Sequence, residues 1–418
     1  MDNKIKGSWV IHHTNKLQAL TNQVGYNSTF VAGKAGILLS AISADDEIYV
    51  SNERLNILAN VANINTAFEL PKLLEILQKQ ELIDISKSGI AVLGVTTSSS
   101  LQHTTTIFEE LDPSSIESAA LDLAERASMA PILENEIIEE LSDTYKLSED
   151  ETNKLFTDSE RNGFVDTEII SKDQKLLFNG NLFRRETTEK IKKVLDSLKA
   201  DEQVKLNELS EILGKRACVS IEYAEELLGE ELFQKVTAIG LFDVNVVSNS
   251  HENAGFMTLP SAFSKFSSSM VDDAFDLAKA FISSITYGIT KSSYERGKIQ
   301  MVDALLSALV KGDKVGPVQA IAEDYKVLEF KGVVKVSYGQ KNGRKGPMLE
   351  LLKKEVGELA LQAIRQGDVS EHSLIALPSA AITRYSGPEF NRENIRKKQI
   401  SLDPTSTNNM LSVLRTGK

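Results

Sequence analysis

One cysteine, Cys218, and one tryptophan, Trp9, serve the whole of this 418-residue chain. A single thiol excludes an intramolecular disulfide and any metal cluster built on several cysteines, and it fits a reducing compartment. Standing alone, Cys218 reads as a small buried side chain. Aromatic residues amount to only 6%, so the cores are expected to be aliphatic, as suits helices stacked through Leu, Ile and Ala stripes. No apolar run approaches the ~20 residues of a membrane-spanning helix, and residues 1–7 lack the charged-then-apolar layout of a signal peptide. The expectation is a cytoplasmic protein with no membrane association.

What is present is ordinary globular material, 41% hydrophobic and 25% charged. The length is too great for one ordinary core and points to two to four domains. The net charge of −12 is unevenly spread. From Lys326 onward 16 Lys and Arg stand against 9 Asp and Glu, an excess of seven positive charges, which leaves the first 325 residues 19 negative. Only the far end is attractive to polyanions.

Periodicity gives a recurring order of elements. Residues 30–42 read as helix, and Leu55, Leu58 and Ala59 share a face of a short one. A longer helix over 67–82 follows, with Pro71 in its first turn. Strands at 83–85 and 90–95 flank Ser86-Lys87-Ser88-Gly89 as a hairpin. The order returns with a helix over 133–141 and a second opened by the Ser148/Glu151 capping box and closed at Asn162-Gly163. Strands at 164–166 and 175–178 complete that copy. A third has helices at 189–198, 206–213 and 223–239 and strands at 242–247 and 256–259. A fourth has helices at 301–310 and 317–324, strands at 327–330 and 333–338, a loop over 339–346, and a helix opened by Pro347 that runs to about 366. Linkers are expected at 97–106, rich in Ser and Thr, and at 264–269.

Helix, short helix, turn, longer helix and hairpin resembles the tandem winged-helix proteins, a group that includes transcription regulators, chromosome-partition adaptors and bacterial defence components. The resemblance covers about residues 25–365 and is one of element order. It implies a mainly α protein with small β-hairpins (α+β), its winged-helix-type domains falling at 1–106, 107–186, 187–268 and 269–366, with a basic, partly extended tail at 367–418. It implies DNA contacts through the longer helix and the wing, although such surfaces also bind proteins.

Enzyme signatures are thin. Gly33-Lys34-Ala35-Gly36 lacks the spacing of a phosphate loop and reads as helix packing through small residues. Of the histidines His12, His13, His103, His251 and His372, none has the i, i+4 spacing of a helical metal site. His12 and His13 are expected on a short strand, pointing opposite ways. Asp324-Tyr325-Lys326 with Glu329 and Lys331 comes nearest to a metal-dependent nuclease's carboxylate-and-lysine cluster. No cofactor is expected. Acidic runs such as Glu134, Glu136, Glu139 and Glu140, or Glu222, Glu225, Glu226, Glu230 and Glu231, read as solvated helix faces.

The basic residues carry more information. Lys341, Arg344 and Lys345 stand among Gly and Asn in the loop at 339–346, next to Lys331 and Lys335 on the adjoining strand; Arg392, Arg396, Lys397 and Lys398 would extend the patch. A flexible loop of this kind follows a groove and grips phosphates. The leading expectation is non-enzymatic DNA binding through this region. Its rival is a scaffold in a bacterial defence or chromosome-maintenance complex, with the acidic helices docking a basic protein partner.

Overall fold

The computed structural model describes residues 1–18, 25–43, 49–86, 89–171, 174–183, 185–248, 253–266, 272–290, 299–325, 328–329, 332–341 and 343–367. Over these the chain is mainly helical, with antiparallel sheets of two or three strands. It opens with α1 (Asn3–Gln18). Helix α2 (Asn27–Ser43) leads to β1 (Tyr49–Val50), α3 (Asn52–Val61), α4 (Leu70–Lys79), β2 (Ile83–Ile85) and β3 (Ile90–Val92). After α5 (Thr97–Glu110) the order returns as α6 (Ser115–Met129), β4 (Ile132–Leu133), α7 (Glu134–Tyr145), α8 (Glu149–Asn162), β5 (Asp166–Ser171) and β6 (Gln174–Phe178). After α9 (Arg185–Asp196) it returns again as α10 (Ala200–Arg216), β7 (Val219–Ser220), α11 (Ile221–Leu228), α12 (Glu230–Ala238), β8 (Asp243–Ser248) and β9 (Asn253–Thr258). In all three sheets the last strand lies in the middle, giving the orders β1-β3-β2, β4-β6-β5 and β7-β9-β8.

The remainder comprises α13 (Pro260–Ser264), α14 (Asp272–Thr290), α15 (Val302–Val310), α16 (Ile321–Asp324), β10 (Val334–Lys341), β11 (Arg344–Leu351) and α17 (Lys354–Gln366). Strands β10 and β11 form a hairpin, and Val315 bridges Leu349 on the free edge of β11.

Local chemistry fixes many boundaries. Ser148 Oγ accepts the Glu151 N–H and the Glu151 carboxylate accepts the Ser148 N–H at 2.9 Å, which starts α8; Gly163, at φ +73°, ends it in the left-handed region. Helices α1, α2 and α5 approach closely because glycines on one helix face the main chain or a threonine of the next. A Cβ on Gly7 would lie 2.0 Å from the Leu101 carbonyl oxygen, and one on Gly33 would lie 1.9 Å from Thr14 Oγ1.

One apolar core runs from Trp9 through Leu38, Leu77, Phe108 and Leu123 to Leu177, so the first two repeats are packed together. A second surrounds Leu209, Leu213, Leu228, Val236 and Met257. A third joins α14 and α17 to the hairpin through Phe281, Ile285, Val334, Leu349 and Leu359.

Several expectations are corrected. Residues 97–106 are no linker: they lie in α5, which runs through position 106 and buries Leu101, Thr104 and Thr105. The hydroxyls are satisfied within the helix, Thr104 donating to Ser100 O at 2.8 Å and Thr106 to Gln102 O at 3.3 Å, so the Ser/Thr content does not break it. His12 and His13 are in α1 rather than on a strand. The helix expected over 223–239 is two, α11 and α12, divided at Gly229 with φ +80°. The short strands β1, β4 and β7 were not expected. Of the linker expected at 264–269, Ser264 ends α13, Lys265 and Phe266 pack on the N-terminal body, and 267–269 lie outside the described residues.

Candidate nucleic-acid interface

The hairpin β10–β11 differs from its expected form. Its pairing runs from Val334↔Leu351 to Lys341↔Arg344, so of the eight-residue loop expected over 339–346 every described residue except Gly343 is in the ladder. Asn342 lies outside the described residues; Gly343 has φ +77°, a conformation that a residue without Cβ adopts freely. Pro347 does not open a helix. It stands in β11 opposite Tyr338, its carbonyl accepting the Val318 N–H at 3.0 Å, and α17 begins only at Lys354. The apolar run after Pro347 is buried on both faces, a pattern that periodicity does not separate from a buried helix. The strand expected at 327–330 is likewise corrected: Leu328 and Glu329 are helical, and 327 and 330 lie outside the described residues.

Residues paired across an antiparallel ladder share a face. One face therefore holds Lys335 opposite Glu350 and, at the tip, Lys341 opposite Arg344. The other holds Val334, Val336, Leu349 and Leu351 at the core end, then Tyr338, and Gln340 opposite Lys345. Lys335, Lys341, Arg344 and Lys345 are all exposed. Lys341 Nζ donates to the Lys314 carbonyl at 3.3 Å, and Lys314 is paired with Glu350 at 3.0 Å. Among the described residues no carboxylate stands within ion-pair distance of Lys335, Lys341, Arg344 or Lys345. The Glu329 carboxylate accepts the Val336 N–H at 2.9 Å. Beside the hairpin lies a shallow groove of about 340 Å³ lined by Pro317, Val318, Gln319, Arg344, Lys345 and Pro347.

The fold thus brings Lys335, Lys341, Arg344 and Lys345 to one hairpin, but on strands rather than on the flexible loop expected for the last three. Lys331, Arg392, Arg396, Lys397 and Lys398 lie outside the described residues, as do the tail beyond 367, His251 and His372. Sequence reasoning missed Tyr338, because its alternation with Val334 and Val336 places it on the core-facing side.

Cations in the second repeat are differently placed. Asp158 takes Lys154 and Arg161, both at 2.6 Å; Lys175 is held by Glu160 at 2.5 Å and Glu134 at 3.3 Å; Arg126 pairs with Glu140 at 2.7 Å. Such charges are already neutralised.

The remaining candidates resolve into packing. Lys34 is buried with its ammonium 2.6 Å from Glu69 and over the Phe30 ring, so the Gly33–Gly36 stretch holds its cation inside the protein. Asp324 and Tyr325 are buried at the end of α16, and Glu329, expected on a strand with them, is helical. Among the described residues no three His, Cys, Asp or Glu side chains converge as metal ligands. Burial pushes the Cys218 thiol up to about 12, which leaves it an unreactive neutral group. Among the described residues no helix is long and apolar enough to cross a membrane.

No protein-family model, curated protein or solved structure matches this chain.

Proposed function

We propose that this chain is a tandem winged-helix protein that binds DNA without acting on it chemically, gripping the phosphate backbone with the β10–β11 hairpin. The observation that carries the reading is the set of four cations on one paired hairpin, Lys335, Lys341, Arg344 and Lys345, with no carboxylate partner among the described residues. A polyanion is the ligand such a surface favours, because each phosphate neutralised releases condensed counterions. The threefold order of helix, strand, two helices and two strands, with the last strand central, supports the winged-helix part, since a wing is the hairpin of such a unit.

Fluorescence anisotropy on labelled DNA at several salt concentrations tests it. Affinity should fall steeply with salt. Reversing Lys341, Arg344 and Lys345 to Glu together should abolish most binding and make the slope of log affinity on log salt shallower by about two to three. Weak, salt-insensitive binding that survives the triple reversal would overturn the reading.

A second reading, a scaffold within a larger assembly, is favoured by apolar side chains on two sheet edges: Ile169 on β5 is 73% exposed and Val246 on β8 is 63% exposed. Edge strands with open ladders and apolar side chains are natural docking sites for another chain. Purification from the native host discriminates, since a scaffold co-elutes with its partner at a mass above that of this chain.

A further inference from the structure

Tyr338 is 81% exposed, the largest exposure among the large apolar and aromatic side chains described. It stands on the face of the hairpin whose inner half, Val334 and Val336 opposite Leu351 and Leu349, enters the core, and it begins the part that projects beyond it. Its neighbours along that face are Gln340 and Lys345; Arg344, the next residue toward the tip, belongs with Lys341 to the opposite face. Folding gains little from an aromatic ring left in water, and a ring beside Lys345 near a cationic tip suits a ligand with a flat apolar face and negative charge alongside it.

Nucleic acid has both, but a duplex hides its base faces inside the stack. An unpaired nucleotide offers one, and a ring standing on a strand is a stacking platform for it. The groove beside β11 adds to this: Pro317, Val318 and Pro347 give it apolar walls, while Arg344 and Lys345 supply charge at its rim.

We infer that the hairpin selects single-stranded over duplex DNA, Tyr338 stacking on an unpaired base while Lys345 on the same face and Arg344 at the tip hold neighbouring phosphates. This rests on the reading of the hairpin as a phosphate-binding element. It adds a selectivity that charge alone does not give, because duplex DNA has the denser phosphates and a purely electrostatic hairpin would prefer it.

The test uses the full chain with a fluorescent oligo-dT strand and with a duplex of equal length at one salt concentration. The single strand should bind about tenfold more tightly. Tyr338→Ala should weaken single-strand binding by about tenfold and leave duplex binding unchanged, and Tyr338→Phe should behave as the parent, since stacking needs the ring and not the hydroxyl. Tyr338→Trp supplies a direct readout: its exposed indole should be quenched by the single strand, whereas Trp9 is wholly buried. An exposed position carries little folding risk, and circular dichroism checks it. Equal or tighter duplex binding, or a Tyr338→Ala variant that binds the single strand as the parent does, overturns the inference and leaves the phosphate reading standing. Failure to bind either DNA overturns both.

Discussion

The ammonium of Lys265 stands 3.0 and 2.9 Å from the two carboxylate oxygens of Glu125, residues 140 positions apart. The same carboxylate accepts the indole N–H of Trp9 at 2.6 Å, and Phe266 meets the Trp9 ring edge-on at 4.8 Å. Asn179 donates to the Lys265 carbonyl at 3.1 Å. The segment after α13 is thereby plugged into the N-terminal body. Removing one partner of a buried pair leaves the other charge desolvated and unpaired, which costs more than the pair itself contributes. Glu125→Gln should destabilise the N-terminal body by about 3 to 5 kcal/mol, and adding Lys265→Met should restore much of this. Urea denaturation followed by Trp9 emission checks it, since that single indole sits at the junction. No loss in Glu125→Gln would mean that the contact is incidental.

The histidines of α1 make stability depend on pH. The His13 ring stacks on Phe164, centroids 3.8 Å apart, and neither of its nitrogens has a hydrogen-bond partner among the described residues. Burial, then the neighbouring His12 and Lys16, holds His13 well below the usual imidazole range; burial and Lys16 lower His12 to about 3. The unfolded chain protonates both below about pH 6.5 and the folded chain does not, so stability is full above that pH and declines as pH falls. Each histidine should contribute a slope of up to about 1.4 kcal/mol per pH unit. His13→Phe keeps the stacking and should roughly halve the slope between pH 6 and 4.5. A flat profile in the parent protein would contradict the burial argument.

Residues whose roles are set by their near neighbours were legible in the sequence. Ser148 and Glu151 announce the start of α8 and Gly163 its end because each acts through bonds within one turn. Gly229 was not read as a break, since a left-handed glycine between two amphipathic stretches leaves the apolar period nearly intact. The Ser/Thr run of α5 was misread because composition is blind to hydroxyls that bond back to their own helix. Strands β1, β4 and β7, two residues each, are set wholly by a distant partner strand, and no local pattern marks them. At the candidate interface the cations were legible, while the length of the ladder under them, and with it their place on strands and the exposure of Tyr338, was not.

The ordering of the tip by this ladder is itself open to test. With the pairing carried to Lys341 and Arg344, the cations are held at fixed spacing by a turn in which Gly343 has φ +77°. A side chain is strained there by about 1 to 2 kcal/mol. Gly343→Ala removes no charge, yet it should weaken DNA binding several-fold, because a frayed tip must be ordered again on binding. A flexible loop would tolerate the change, and unchanged affinity would favour that description.

The packing of α1, α2 and α5 yields the last expectation. Gly33 and Gly36 stand against threonine side chains, where a Cβ would lie 1.9 Å from Thr14 Oγ1 and 2.1 Å from Thr104 Oγ1; relief there needs a buried threonine to shift and give up its hydroxyl's bonds to helix carbonyls, but no main chain has to move first. Gly7 faces main chain: its Cβ would meet the Leu101 carbonyl oxygen at 2.0 Å and the carbonyl carbon at 2.8 Å. Backbone yields only if a whole helix moves, so the two kinds of site should respond differently to the same added methyl group. Overpacking in a core typically costs about 1 to 3 kcal/mol; Gly33→Ala should fall within that range and Gly7→Ala at or beyond its upper end. Shortening Thr14 to Ser should not recover Gly33→Ala, because the hydroxyl that clashes remains, whereas Thr14→Ala removes it and should recover part of the loss. Thermal and urea unfolding of these variants decides the matter, and equal effects at Gly7 and Gly33 would show that α5 shifts as readily as a side chain turns.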